Sequence, residues 1–396
     1  MNLFESTDTG GLVPISGIDP RQGEWAHMAF VPHPLGPDSP NLSSATYIAV
    51  GRARASLAAL DATSKQLPNP TLLRMPTLRR EAQSTSALEG TYAPLADVLI
   101  ADEESPATPE MVEVLNYVAM ANRGFGKLAE GYPISVSFIS DLQGRLMCNT
   151  RLASVSGKIR DDQVVIGQRA GMDPKEFPVH RSRFVPAPPG FQLNNGMQDL
   201  VSWMQADHNE AIDPVVAAAM SHYQFETLHP FMDGNGRVGR FLIVLHLLSA
   251  GVLSEPTLTV SPWFEARRTE YYDRLFAVSS EGDWDSFVRF FAEGLKAAAD
   301  HTQDEMIDLV AVQAELKDRV RASGLRADTA HSLVDLAVAN PSFTAKKVES
   351  DLGVSYQRAN KLVRQFVDLD ILNVLDDSAY KKRYYSPSVL AVLMGQ

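Results

Sequence analysis

The sequence predicts a mainly α protein, and three observations carry that expectation. Apolar residues recur every three or four positions in most windows of the chain, the spacing of an amphipathic helix. Strand-like texture is confined to short stretches within 152–189 and 372–385. Residues 343–366 read as two short helices joined near Gly353, a helix-turn-helix text.

Residues 1–45 are rich in Pro, Gly and Ser and lack periodicity, so they are expected to be mostly extended or loop. Helical spacing begins over 46–64 and returns over 73–88, after which Gly90 supplies a left-handed stop. Pro109 suits the first turn of a helix running to about 130, and 134–147 continues the pattern. Residues 155–160 and 163–167 suggest two strands around Asp161 and Asp162, a hairpin, and 183–189 then runs back in extended form. Helices resume over 193–207 and 214–227. The stretch 241–248 is too apolar for a surface loop and fits a core helix; another helical stretch covers 261–275. Beyond about 323 a separate domain is expected. There 327–339 forms a helix stopped by Asn340 and Pro341, 343–354 and 355–366 form the helix pair, and 372–375 with 382–385 form a two-stranded wing around Asp376 and Asp377.

A chain of 396 residues, 45% of them hydrophobic, supports two or three domains with sizeable cores. The single cysteine, Cys148, excludes an internal disulfide and a thiolate zinc cluster. The first residues lack the basic and apolar segments of a secretory leader, and no apolar run reaches membrane-spanning length, so a cytoplasmic, membrane-free protein is expected. A net charge of −12 argues against general nucleic-acid coating.

The chemistry concentrates in 229–240, His-Pro-Phe-Met-Asp-Gly-Asn-Gly-Arg-Val-Gly-Arg. Gly234 and Gly236 flank Asn235, so successive N–H groups can converge on an anion at the start of the following helix. Arg237 and Arg240 are three apart and project from neighbouring positions of one helix face, where two guanidinium forks suit a polyphosphate. Asp233 would repel those phosphates unless it holds Mg²⁺, which takes one or two protein carboxylates beside phosphate oxygens and water; a helix N-cap is its other use. His229 is largely neutral at pH 7 and suits a general base for a hydroxyl. Together these residues specify nucleotidyl or phosphoryl transfer, and leave open which phosphorus is attacked. Upstream, Glu89 ends a helix before Gly90, where a carboxylate opposes the helix dipole and calls for an external partner.

Residues 229–240 resemble the HPFx(D/E)GNGRxxR signature of the Fic family, meeting every fixed position, and 85–90 resemble its (S/T)xxxE(G/N) inhibitory helix. The resemblance implies a Fic-type helical bundle with a β-hairpin flap and a C-terminal winged helix-turn-helix. Its expected divisions are 1–110 (N-terminal region with the inhibitory helix at about 80–90), 111–300 (catalytic core, flap at about 152–189) and 301–396 (helical linker and winged helix). It implies AMP transfer from ATP to a Ser, Thr or Tyr hydroxyl of a target protein docked at the flap, or of the chain itself. His229 is then the base, Asp233 the Mg²⁺ ligand and Gly234, Asn235 and Gly236 the anion cradle. Arg237 addresses the α/β-phosphates and Arg240 the γ-phosphate, whose place Glu89 takes as an intramolecular brake. Tyr271 and Tyr272 match a tyrosine pair that closes the adenine pocket, although Arg267 stands where many relatives carry Asn. Two other functions fit the same residues: removal of AMP from a protein, and a nucleotide-sensing transcriptional regulator. In the second, Ser355, Gln357, Arg358, Asn360 and Lys361 would read DNA. The C-terminal segment is nearly charge-balanced, which favours protein contact, including a homodimer, over specific DNA binding.

Overall fold

Helix starts are encoded locally in this chain. The Thr108 hydroxyl accepts from Met111 N with Pro109 in the first turn, the Asp213 carboxylate accepts from Val215 N beside Pro214, and Ser135 accepts from Phe138 N. Each satisfies a first-turn N–H that no helical carbonyl reaches. The computed structural model describes residue 4 and residues 8–19, 22–66, 71–102, 106–208, 210–325, 328–376 and 381–395. The expected turn residue Asp377, the expected helix start at 327 and most of residues 1–7 lie outside them.

An antiparallel hairpin, β1 (Gly10–Asp19) and β2 (Gly23–Pro32), occupies part of the region expected to be extended or loop. The Pro and Gly content there obscures an alternation of burial along both strands. Phe30 is buried, and its N–H donates to Val185 O at 2.9 Å, which lays β2 beside the returning 183–187 segment.

The expected helices follow: α1 (Ser44–Gln66), α2 (Thr71–Leu88), α4 (Pro109–Ala129) and α5 (Val136–Leu146), with a short, unexpected α3 (Leu95–Ile100) between. A one-turn α6 (Pro178–Arg181) precedes α7 (Phe191–Gln205), α8 (Pro214–Leu228) and α9 (Asn235–Ser249). Both α8 and α9 are buried on nearly all faces, as helices apolar all round must be. Phe241 of α9 lies 5.0 Å from the Phe125 ring of α4. The two helices meet at Gly124, where a Cβ would come within 2.6 Å of the Phe241 ring. Burying such a phenylalanine contributes about 2–3 kcal/mol, and it fixes α9 in the centre of the bundle.

The expected 261–275 helix is two helices, α10 (Ser261–Ala266) and α11 (Arg268–Glu281), because Arg267 leaves helical geometry at φ −125°, ψ 31°. The long α12 (Trp284–Ala322) packs along α1. After α13 (Asp328–Ala339) come β3 (Phe343–Thr344), α14 (Ala345–Leu352), α15 (Tyr356–Asp368), β4 (Asn373–Val374), β5 (Arg383–Tyr385) and α16 (Pro387–Leu393). Gly353 turns between α14 and α15 at φ 63°. The expected two-stranded wing gains a third member, in the order β3-β5-β4, because Phe343 enters α14 in extended form and pairs with Tyr384.

This C-terminal part is tied to the helices before it. Ser342 Oγ donates to Ile100 O at 2.7 Å, Arg383 pairs with Asp102 at 3.2 Å, and Arg80 of α2 reaches Glu305 and the Leu393 carbonyl. Among the described residues no helix is long and apolar enough to cross a membrane.

Candidate active site

The turn from α8 to α9 builds the site. His229 caps α8 in the left-handed region, φ 49°, ψ 61°, its N–H donating to Phe225 O. Asn235 then locks the loop: its Oδ1 accepts from Phe231 N and its Nδ2 donates to Phe231 O, both at 2.8 Å, while the Phe231 ring is buried. The Asn235 side chain is therefore committed to the loop. What it leaves for an anion is backbone: Gly234 caps α9 at φ 81°, and the first-turn N–H groups behind it have no carbonyl within the helix.

A carboxylate already sits over that first turn. A Cβ on Gly236 would meet Glu89 Oε1 at 2.1 Å and Arg240 Nη1 at 2.9 Å, so only glycine admits the contact. Glu89 follows α2, whose end is closed by the Gly90 and Thr91 N–H groups on the Ala87 and Ser86 carbonyls. Its Oε1 accepts from Arg240 Nη2 at 2.6 Å. Arg240 also donates to Thr85 Oγ1 at 2.9 Å and to Thr85 O at 3.0 Å. Arg240 is fully buried, while the Glu89 side chain is 27% exposed. Burial alone would raise the Glu89 carboxyl, but the Arg240 guanidinium overrides it and holds the group below the ordinary carboxylate range. Glu81, lower on α2, accepts from Ser261 N at 2.9 Å and Ser261 Oγ at 2.5 Å, which caps α10 and fixes α2 against it.

Arg237 is buried and engaged, donating to Glu113 Oε2 of α4 at 2.8 Å; Thr91 Oγ1 donates to the same oxygen at 3.0 Å. Asp233 is half exposed, with Oδ1 accepting from Gly234 N at 2.6 Å and lying 3.5 Å from Arg237 Nη2. Among the described residues no cluster of three or more His, Cys, Asp or Glu forms a cation cage. One carboxylate beside an anion cradle fits Mg²⁺ completed by phosphate oxygens and water, not a cation enclosed by protein.

His229 is half-buried, and burial lowers its pKa to about 4, with Arg160 pushing the same way. The ring is thus neutral at pH 7. Its Nδ1 faces the Glu226 carbonyl at 3.3 Å, which assigns the proton to Nδ1 and the lone pair to Nε2.

The tyrosine pair is split. Tyr271 is fully buried, its hydroxyl 2.7 Å from His222 Nε2 and its ring stacked on Phe264. Tyr272 is the member at the site, its hydroxyl donating to Leu88 O at 3.4 Å. The 152–189 segment pairs differently from the sequence expectation. Ile166 bridges Phe184 and Arg169 N donates to Arg181 O, so the antiparallel arms are near 166–169 and 181–184. Residues 155–160 form no strand; Gly157 N and Arg160 N are taken by Gln143 Oε1 and Pro230 O.

Sequence reasoning missed Glu113, Arg160, His222 and Glu226. Glu226 precedes His229 by one helical turn; burial raises its carboxyl to about 8, and one oxygen has no hydrogen-bond partner among the described residues. That spacing was the one available signal, since Glu113 and Arg160 lie far away in sequence.

Residues 47–126 match the model of the Fic/DOC family N-terminal region and 133–247 that of the Fic/DOC family. A relative described as protein adenylyltransferase fic-1, from Caenorhabditis briggsae, is 32% identical over 169 residues, 43% of this chain and 29% of that protein. Protein adenylyltransferase Fic of Drosophila virilis is 36% identical over 115 residues, 29% of this chain and 22% of that protein. The match thus spans less than a third of these relatives' length. Among solved structures, a Fic family protein from Desulfovibrio desulfuricans G20 superposes with a TM-score of 0.53 at 21% identity, covering 88% of this chain and 98% of that one. Fic-1 of C. elegans gives 0.51 at 23% identity, covering 67% and 74%.

Proposed function

Because the chain belongs to the Fic/DOC family, we propose that it transfers AMP from ATP to a hydroxyl side chain of a target protein or of itself. The observation that carries this reading is the anion already seated on the α9 cradle: the Glu89 carboxylate, 2.6 Å from a fully buried Arg240. In the proposed reaction a hydroxyl oxygen forms a bond to the α-phosphorus, the bond from that phosphorus to the β-bridging oxygen breaks, and pyrophosphate leaves. The hydroxyl proton passes to His229 Nε2, the free nitrogen of a ring whose Nδ1 faces the Glu226 carbonyl.

The first-turn N–H groups of α9 receive the phosphate oxygens, and Arg240 addresses the γ-phosphate once Glu89 withdraws. Arg237, held by Glu113, lends its charge to the α/β-phosphates from behind Asp233. Mg²⁺ held by Asp233 would neutralise the leaving pyrophosphate. Tyr272, rather than Tyr271, is the side chain available to an adenine. The target segment adds beside 164–169, next to the His229 loop. The C-terminal elements, read as a winged helix, serve protein contact rather than DNA reading.

Parallel incubations with [α-³²P]ATP and [γ-³²P]ATP test the reaction. Protein-bound label from the α position alone supports it. Label from the γ position would make the chain a kinase, and none from either, with Glu89 removed, would end the proposal.

A further inference from the structure

Arg160 is 2% exposed, yet among the described residues it forms no ion pair. Its side chain is spent on carbonyls from three separate segments. Nε donates to His229 O at 2.9 Å, Nη1 to Asp162 O at 2.9 Å, and Nη2 to Ala187 O. Its own N–H donates to Pro230 O at 2.9 Å. A planar fork with several fixed donors meets that geometry; a lysine or glutamine cannot reach all three acceptors at once. The residue it grips most directly, His229, is one of the few non-glycine residues at positive φ among the described residues. Such a conformation persists only where its surroundings over-determine it.

We propose that Arg160 is a positioning residue, whose guanidinium holds the His229 backbone in its left-handed conformation and ties it to the 152–189 segment. A target strand docked on that segment is thereby set against the same guanidinium that aims the base. Desolvation pushes the buried guanidinium down to about 10, and its bonds to the His229, Asp162 and Ala187 carbonyls offset part of that cost. The positive charge also favours the neutral form of the imidazole, which acceptance of a proton requires. The groups facing His229 are the Glu226 carbonyl, the Glu89 carboxylate and Arg160 itself.

This inference rests on the proposed transfer, so its test is run on a Glu89→Gly parent and includes one readout independent of activity. With Arg160→Ala added, the labelling rate at saturating ATP should fall at least 50-fold, with the half-saturating ATP concentration changed less than threefold. Millimolar guanidinium should restore at least fivefold. Arg160→Lys keeps the charge and loses the fork: it should lower the rate while leaving the acid limb of the pH profile in place. In Arg160→Ala that limb moves up, toward the ordinary histidine range. Independently, NMR titration of ¹⁵N-histidine in the wild type and Arg160→Ala should show the His229 resonance titrating at higher pH in the variant. A rate within threefold of the parent, a loss matched by equal loss of ATP affinity and insensitive to guanidinium, or an unmoved His229 titration each overturns the proposal. A silent parent with a shifted His229 titration would reject the transfer reading and leave Arg160's role standing.

Discussion

Replacing Glu89 by glycine removes the carboxylate bound to Arg240, the group that under the proposed function competes with a γ-phosphate. The contact is a short charge-assisted hydrogen bond, 2.6 Å, to a guanidinium with no exposure of its own. Hydrogen bonds to charged groups contribute about 1.5–3 kcal/mol, and the 27% exposure of Glu89 argues against a larger figure. If that contact must break before the triphosphate seats, it suppresses transfer by about 10- to 150-fold, at about 1.4 kcal/mol per factor of ten. Glu89→Gly should therefore raise the initial rate of incorporation from [α-³²P]ATP, self-modification included, by that factor. Glu89→Gln retains an acceptor without the charge and should fall between. The variant also leaves a buried cation without its carboxylate, so its Tm should drop by a few degrees, and Mg²⁺-ATP should raise it more than it raises the wild type's. Equal labelling by wild type and Glu89→Gly over a range of ATP concentrations would refute the reasoning, because the ion pair would then cost the nucleotide nothing.

His229→Ala should lower transfer by about 10²–10⁴-fold, the range for a lost general base, with ATP affinity by calorimetry within about threefold of wild type; retained transfer removes His229 from the mechanism. Gly236→Ala places a Cβ 2.1 Å from the position of Glu89 Oε1; it should loosen the brake yet block the cradle, so labelling stays absent even when combined with Glu89→Gly. The Glu89 carboxyl is held below its reference value of 4.5 by Arg240, so its stabilising contribution is complete above that unfolded value and lost as pH falls through the lower folded one. Thermal melts of wild type and Glu89→Gln should accordingly differ by a constant amount at pH 6–8 and converge below about pH 4.5; a gap that widens on acidification contradicts the assignment.

What the sequence disclosed and what it withheld divide along a physical line. Helices with a side-chain cap, an N-terminal proline or an apolar stripe could be read to within a few residues, because each signal is local: Pro109, Pro214 and Gly90 act on their own turn. The loop from His229 to Asn235 could be read for the same reason. The N-terminal hairpin could not, since β1 is rich in the residues that normally argue for loops, with three glycines and a proline. Nor could the pairing within 152–189, because Arg160 and Gly157 satisfy their N–H groups on Pro230 and Gln143 rather than on a neighbouring strand. Tyr271 and Tyr272 looked equivalent as adjacent residues, but adjacent positions on a helix face different ways. One is sealed against Phe264 and His222, and the other lies beside the end of α2.

The buried arginines show how the partner type separates roles that a sequence cannot. Arg160 lies on main-chain carbonyls, which no ligand can displace without unfolding the segments that carry them. Arg237 and Arg240 lie on carboxylates, Glu113 and Glu89. A carboxylate oxygen and a phosphate oxygen present the same charge-assisted acceptor to a guanidinium, so these two positions can exchange one for the other. They differ in how firmly the carboxylate is held. Glu113 sits within α4 and is also bonded by Thr91, whereas Glu89 lies past the last turn of α2, opposed to its dipole. Exchange is therefore favoured at Arg240 and resisted at Arg237. Under the proposed function, a brake built on the carboxylate at the end of α2 would release at one end of the triphosphate while the grip near the transferred phosphorus stays in place.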